Sequence, residues 1–511
     1  MTRLRRGGLT TTLVKGVSLL VVPIVAIPLV YLAIRVFEAD PADVWAELSR
    51  GSTSQLLGNT ALLMVAVTAT ALVVGATQAY AVTRTTMPWR KAMAIAATAP
   101  LAVPSYVAAY GWLGIWPEFT GFGAAWLVLS VSTAPIVFLT VSASLARTPR
   151  SLDDVARTFT TTLWGRHRLV TWPTIKTAVW GSGLLVALYV IADFGAVSLL
   201  RYDTFTRAIF IAYRSSFDRT AAAVLGIIVV VATTVLVIAH SRFSAQARTV
   251  STAIESPRRD VVRWRGVPQV AAMTAWIAVG SGVPLVSIGL WLTRGVSTAG
   301  ISQLLEALLA SLAYAAVAAT IATAVAIAMS IARTAYGFVP ARVGITLSWL
   351  IHALPALVVA LALTFVGIRV VPDLYQTHGF IIAGLVVLFL PNALAAVEPA
   401  IRTVPQSWTE VAQSLGMSPT AQFRRVTLPV VAPGVAAAWA LVALVIIKEL
   451  PLTLLLRPTG IDTLATRLWT ETNAGAFAAS APYAFTLVIL AGIPAWLISR
   501  GSDPQRKVDA P

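Results

Sequence analysis

The sequence lacks cysteine and is poor in charged residues. Asp, Glu, Lys and Arg make up 12% of its 511 residues, about half of the share usual in a soluble protein. The absence of cysteine excludes disulfides, thiolate metal sites and redox-active thiols. None of the five lysines follows a glycine, so the sequence has no Gly-Lys-Ser/Thr phosphate-binding loop. His-Glu-x-x-His and Gly-x-Ser-x-Gly motifs are also missing, which argues against a membrane-embedded enzyme.

Apolar residues dominate instead, at 57% of the chain. Apolar runs of 20 or more residues recur along the sequence, and such a run forms a helix long enough to cross a bilayer. The sequence therefore predicts an all-α polytopic membrane protein with about twelve transmembrane helices. We expect them near residues 15–36, 59–83, 92–115, 122–146, 177–199, 220–240, 268–293, 304–332, 343–368, 380–400, 432–456 and 479–499.

The net charge is +17, and the positively charged residues are distributed as the predicted topology requires. With the N-terminus inside, 27 of the 38 Lys and Arg residues fall on that side and 10 on the other. By the positive-inside rule both termini are cytoplasmic, and the chain is expected to be a multi-pass membrane protein. The sequence has no basic stripe interleaved with aromatic residues, so it gives no sign of a nucleic-acid partner. The expected partner of its surface is the lipid bilayer.

The sequence contains an internal repeat. Residues 154–201 align without a gap to residues 410–457, with 15 identities in 48 positions. Apolar composition does not explain the matches in the polar loop, which are Arg168/Arg424, Thr171/Thr427 and Pro173/Pro429. A weaker match places Pro104 over Pro355.

The repeat predicts a tandem duplication. The two six-helix units are residues 1–245 and 267–511, and a polar cytoplasmic linker covers residues 246–266. Because each unit has an even number of spans, the two copies enter the membrane the same way round. We therefore expect parallel repeats, with the substrate passing along their shared axis.

The loop from Glu410 to Pro429 resembles the "EAA" loop of binding-protein-dependent ABC transporter permeases. It has Glu-Val-Ala, then Gly416, then a proline at the expected spacing. The pattern predicts a short helix that starts near Glu410, a turn at Gly416, and a following helix that starts at Pro429. The corresponding residues of the two loops are Asp154, Ala156, Thr160 and Pro173 in the first, and Glu410, Ala412, Gly416 and Pro429 in the second.

The resemblance implies the fold of a type I ABC importer permease, a place in the inner (cytoplasmic) membrane of a bacterium, and a set of partners. Two nucleotide-binding ATPase subunits would dock on the cytoplasmic loops, and an extracytoplasmic binding protein would deliver the solute. ATP and Mg would belong to the ATPase, so this chain would carry no cofactor, no catalytic residue and no metal site. The first loop departs from the pattern, with Asp154 in place of Glu and Thr160 in place of Gly.

Two segments resemble the ferric-iron branch of the fused two-repeat permeases: residues 192–206, and residues 448–458 with 462–467. They contain Asp193 and Glu449, which are equivalent under the repeat. A carboxylate in the bilayer is costly enough to suggest a role, so both are candidate pathway residues near the outer gate. The alternative is a structural role, in which each pairs with Lys448, Arg201 or Arg457.

Other functions remain open at this point. Thiamine, an aminophosphonate or another small solute would suit the same type of permease. A secondary active transporter that works without an ATPase is the rival from a different class. It would leave the paired loops unexplained, and residues 83–91 lack the Asp-Arg-rich loop expected of the major facilitator fold.

Overall fold

The computed structural model describes residues 9–38, 40–85, 87–148, 150–214, 219–246, 267–294, 300–352 and 354–501, and this part of the chain is helical without a β-strand. The all-α prediction is therefore confirmed. The predicted linker at 246–266 lies outside the described residues except for Gln246.

Within the described residues, each half of the sequence contains twelve α-helices. Those of the first half are α1 (Leu9–Glu38), α2 (Pro41–Ser49), α3 (Gly51–Arg84), α4 (Arg90–Thr98), α5 (Ser105–Ile115), α6 (Phe122–Ala146), α7 (Arg150–Phe159), α8 (Leu163–Arg166), α9 (Trp172–Ala192), α10 (Gly195–Leu199), α11 (Phe205–Arg214) and α12 (Arg219–Gln246). Those of the second half are α13 (Val267–Ile277), α14 (Val283–Arg294), α15 (Ile301–Tyr336), α16 (Val339–His352), α17 (Ala356–Arg369), α18 (His378–Arg402), α19 (Gln406–Ser414), α20 (Pro419–Gln422), α21 (Leu428–Ile447), α22 (Pro451–Leu456), α23 (Leu464–Asn473) and α24 (Phe477–Gly501).

Shorter helical segments join some of these helices. Ala99–Ala102 and Pro372–Leu374 are 3₁₀-helices. The π-helices at His167–Thr171, Ala278–Gly282 and Phe423–Thr427 lead into α9, α14 and α21.

Eight helices in the described residues are long and apolar enough to cross a membrane, and the number rises to ten if each of two bent pairs is one span. Two shorter apolar helices, Val224–Ala239 and Phe477–Gly492, lie at the ends of the two halves. The chain is thus a multi-pass membrane protein, but the predicted number of twelve spans is not confirmed.

The bent pairs correct two of the predicted helices. The helix expected at 92–115 is broken between Ala102 and Ser105 and bends by 90°. The helix expected at 343–368 is broken between His352 and Ala356 and bends by 117°. In each case a proline stands directly before the second helix, with an extended ψ of 147° at Pro104 and 139° at Pro355. A proline has no N–H to continue the helical ladder, which favours a break at both positions.

The helices form two compact units. Unit 1 consists of Met1–Pro41 and Ala299–Arg467, and unit 2 of Ala42–Thr298 and Leu468–Pro511. In unit 1, α15 packs against α18 and α21. In unit 2, the equivalent α3 packs against α6 and α9.

These units do not coincide with the two halves of the sequence, because the first helices are exchanged and the end of the second half, from Leu468, belongs to unit 2. In unit 1, α1 packs on α15, α16 and α17, and a Cβ on Gly344 would lie 3.1 Å from Cγ2 of Val22. In unit 2, α14 packs on α5, and a Cβ on Gly111 would lie 2.5 Å from Cα of Pro284. The boundaries of the duplicated sequence, 1–245 and 267–511, stay a prediction.

Candidate functional site

The two predicted loops fold alike. Each has a helix (α7 or α19), a turn, a single helical turn (α8 or α20), a π-helix and then a long apolar helix (α9 or α21). The two π-helices lie at equivalent positions of the alignment. Pro173 and Pro429 are the second residues of α9 and α21, and both helices lie directly after the π-helices.

The small residues of the motif face inward. The side chains of Ala156 and Ala412 are both 3% exposed, whereas Asp154 and Glu410 are exposed. Glu410 is the fifth residue of α19, which has no acidic residue in its first turn. The prediction that Glu410 starts the helix was therefore wrong, since the helix begins one turn earlier, just after Pro405.

The turns that follow differ between the loops. Gly416 has a φ of +73°, the left-handed conformation that glycine adopts without a steric penalty. Its counterpart Thr160 is not among the residues with positive φ. Instead, its Oγ1 lies 3.1 Å from Oγ1 of Thr162, within hydrogen-bond distance. The loops thus turn by different means at the same position.

A pair of helix caps in these loops escaped the sequence analysis. Oγ1 of Thr162 accepts a hydrogen bond of 3.1 Å from the N–H of Gly165. Oγ of Ser418 accepts one of 3.3 Å from the N–H of Ala421. Thr162 and Ser418 occupy equivalent positions just before α8 and α20, and threonine and serine are typical N-cap residues.

Each loop helix also exposes a stripe of three large apolar side chains, which the sequence analysis missed. Their spacing of i, i+3 and i+7 puts them on one face of a helix. All six are 46–78% exposed: Leu152, Val155 and Phe159 on α7, Trp408 and Val411 on α19, and Leu415 directly after α19. The two sets occupy equivalent positions of the alignment. We call them the apolar stripes.

Asp193 lies at a break in the chain, since α9 ends at Ala192 and α10 begins at Gly195. Its Oδ1 accepts hydrogen bonds of 3.0 Å from the N–H of Ala196 and 3.4 Å from the N–H of Val197. Its Oδ2 accepts one of 2.6 Å from the hydroxyl of Ser105, the first residue of α5. The carboxylate therefore caps α10 and holds the start of α5.

Glu449 has the same role in the second half. It follows the end of α21 at Ile447, and its two oxygens accept hydrogen bonds of 2.7 Å from the N–H of Leu452 and 2.9 Å from the N–H of Thr453. The side chain is 6% exposed. As in the first half, the carboxylate caps the next helix through the third and fourth residues after it, in this case α22.

These positions differ from the expected continuous helices over 177–199 and 432–456. The hydrogen-bond partners found for the two carboxylates are backbone amides and Ser105, whereas Arg457 forms an ion pair with Asp462. Asp193 belongs to unit 2 and Glu449 to unit 1, so a shared pathway between them stays a prediction. Among the described residues, no three His, Asp or Glu side chains form a group that could hold a metal ion.

The chain matches both a known family and a known protein. Residues 324–500 match the family model described as "Binding-protein-dependent transport system inner membrane component". The whole chain is similar to the Fe(3+)-transport system permease protein FbpB 2 of Haemophilus influenzae. The two are 32% identical over 486 residues, which cover 93% of this chain and 95% of that protein.

Proposed function

Because this chain belongs to the family of inner membrane components of binding-protein-dependent transport systems, we propose that it is the permease of an ATP-driven importer of ferric iron. An extracytoplasmic binding protein delivers the solute, and ATP is hydrolysed by separate subunits in the cytoplasm. The observation that carries the choice of solute is the 32% identity, over 95% of its length, to a permease named for Fe(3+) transport.

Two ATPase subunits are proposed to dock on the paired loops. The support is the duplicated pattern, in which each loop helix buries its alanine and exposes three large apolar side chains. Exposed apolar side chains in a continuous patch are typical of a surface that a protein partner covers. In this arrangement α7 and α19 enter grooves of the ATPases, and movement of the ATPases reaches α9 and α21 through the short segments between them.

The proposal also includes the orientation of the chain in the membrane. Both termini and both loops lie in the cytoplasm, as the distribution of Lys and Arg predicts. The helix breaks at Asp193 and Glu449 then lie toward the opposite face of the membrane, because α9 and α21 start at the loops. A role of the two carboxylates in the solute pathway is part of this proposal.

Uptake of radioactive iron tests the function. The chain is expressed with a candidate ATPase and a candidate binding protein from the same organism, in cells that lack their own ferric-iron importers. We expect ⁵⁵Fe(3+) uptake that depends on all three components and stops when the ATPase carries an inactive ATP site. Uptake of thiamine or an aminophosphonate in place of iron would contradict the choice of solute. Uptake without any ATPase would contradict the whole proposal.

A further inference from the structure

A small polar cavity lies inside unit 1 beside Glu449. The centre of a water molecule can occupy a volume of about 10 Å³ in this cavity. The cavity therefore has room for one water molecule or one ion of similar size. Eight residues line it, and five of these have a buried oxygen-bearing side chain. The lining residues are Ser311, Tyr314, Leu385, Ile446, Ile447, Glu449, Thr453 and Thr463.

The hydroxyl hydrogens of Ser311 and Thr453 are already used within the protein. Oγ of Ser311 donates a hydrogen bond of 2.8 Å to the carbonyl oxygen of Ala307. Oγ1 of Thr453 has two carbonyl acceptors at 2.8 and 2.9 Å, those of Leu450 and Glu449. Both hydroxyl groups therefore offer oxygen lone pairs to the cavity.

The hydroxyl groups of Thr463 and Tyr314 also have hydrogen-bond acceptors within the protein. Oγ1 of Thr463 donates to Oγ1 of Thr466 at 3.3 Å. The hydroxyl of Tyr314 lies 2.8 Å from Nδ1 of His378, to which it donates when the imidazole carries its hydrogen on Nε2. None of the eight lining side chains contains an N–H group.

The cavity also has a negative electrostatic character. Glu449 contributes a carboxylate, and Ile446 and Ile447 are the last two residues of α21, whose C-terminal end carries a partial negative charge. The helical partner of the Ile447 carbonyl would be the N–H four residues later, but that residue is Pro451, which has none. Lys448 is not among the lining residues.

A cation suits this lining better than a water molecule does. A buried water molecule makes about three hydrogen bonds. It donates two of them and accepts the others, whereas none of the lining side chains carries an N–H donor. A hard cation requires oxygen ligands alone, and the ends of interrupted membrane helices are known positions for such ions. We propose that this cavity binds one monovalent metal cation of the Na⁺ type, with Glu449 as the balancing charge.

The first half of the chain lacks two of the five oxygen-bearing side chains of this site, those of Tyr314 and Thr453. The N–H of Phe205 donates to Thr60 as that of Leu464 does to Ser311, so Leu63 stands where Tyr314 does. By the alignment of the halves, Val197 stands where Thr453 does. Phe122 and His378 are the first residues of the equivalent helices α6 and α18. The site is therefore specific to the second half, and Asp193 provides a matched control for Glu449.

Binding of ²²Na⁺ to the purified full-length chain in lipid nanodiscs tests the proposal. We expect one saturable site per chain, displaced by K⁺ or unlabelled Na⁺ but not by choline at equal ionic strength. Tyr314→Phe and Thr453→Val should each weaken binding about tenfold, equivalent to about 1.4 kcal/mol, because each removes one oxygen ligand. Asp193→Asn should leave binding unchanged.

Three results of this binding assay would overturn the proposal. They are the absence of saturable ²²Na⁺ binding, equal displacement by choline, and full binding in both hydroxyl variants. Glu449→Gln should abolish binding, and if that variant does not fold, Tyr314→Phe and Thr453→Val decide the question. The inference does not depend on which solute the permease carries. Competition by ferric citrate separates the two, since iron should not displace ²²Na⁺ from this site, and displacement would contradict the assignment.

Discussion

The hydroxyl of Ser105 donates a hydrogen bond of 2.6 Å to the carboxylate of Asp193. This bond joins two interruptions of helical structure in unit 2, the one before α5 and the one after α9. The packing beside it is equally close, since a Cβ on Gly195 would lie 2.8 Å from Cβ of Tyr106. In the second half Ala356 stands where Ser105 does, so that position has no hydroxyl to donate.

Ser105→Ala should destabilise the protein because it removes the side-chain donor of a buried carboxylate. Loss of a hydrogen bond to a charged group costs about 1.5–3 kcal/mol, and we expect a lower midpoint of thermal unfolding in detergent. Ser182→Ala is the matched control, since Ser182 is also buried and bonds only the carbonyl of Val179 in its own helix. Equal midpoints for the two variants would contradict a structural role for the Ser105–Asp193 bond.

Substitutions at Asp193 separate its capping role from its charge. Asn keeps an oxygen that can accept from Ala196 and Val197 but is neutral, whereas Ala loses both properties and about 1 kcal/mol of capping energy. Asp193→Asn weakens the bond from Ser105 but keeps the cap, so its thermal midpoint should fall less than that of Asp193→Ala. If the carboxylate acts in the solute pathway, Asp193→Asn should also lower ⁵⁵Fe(3+) uptake. Glu449→Gln makes the same comparison in the second half. Normal uptake in both neutral variants would contradict a role of the carboxylates in the pathway and would indicate that they act only as helix caps.

Exchange of residues between the two loop turns should have unequal effects. Gly416→Thr puts a β-branched residue at a φ of +73°, which costs about 1–2 kcal/mol, although a Cβ there would meet no atom within 4 Å. We expect this variant to lose stimulation of the ATPase by the loaded binding protein. Gly416→Asn should retain much of it, because asparagine tolerates the left-handed region. The reverse exchange, Thr160→Gly, should change little.

Polar substitutions in the apolar stripes should weaken assembly with the ATPase and leave the fold intact. Phe159→Ser and Leu415→Ser each remove an exposed apolar side chain, and its burial in a complex would contribute about 1.5–3 kcal/mol. The measurement is the amount of ATPase that copurifies with the permease at fixed detergent. Thr158→Ala and Ser414→Ala are controls, since both are exposed neighbours on the same helices. A loss as large in the controls would contradict docking through the stripes.

Prolines show how far the sequence could predict the fold. Pro104 and Pro355 each stand at a break in a predicted helix, but Pro135 and Pro391 lie within the unbroken helices α6 and α18. Membrane helices tolerate proline because neighbouring groups satisfy the freed carbonyl. The sequence alone therefore does not tell a broken span from a continuous one, and a hydropathy window averages over a break of a few residues.

The candidate site was predictable to a similar degree. The repeat alone puts Asp193 and Glu449 at equivalent positions, and Gly416 has the positive φ that a glycine turn suggests. Their hydrogen bonds were not foreseeable, because the cap depends on where α9 and α21 end. The exchange of the first helices was equally hidden, since an apolar run carries no information on which helix it will contact.

That exchange dictates the order in which the molecule can be completed during translation. Unit 1 begins with Met1–Pro41 but ends at Arg467, so α1 is inserted long before α15, α16 and α17 exist. At about 5–20 residues per second, the delay from residue 41 to residue 467 is roughly 20–85 s. Unit 2 likewise requires its last segment, which starts at Leu468. Translation that ends in the linker would therefore yield a chain in which neither unit is complete. If the halves are expressed from separate genes, we expect folded protein only when both are made in the same cell.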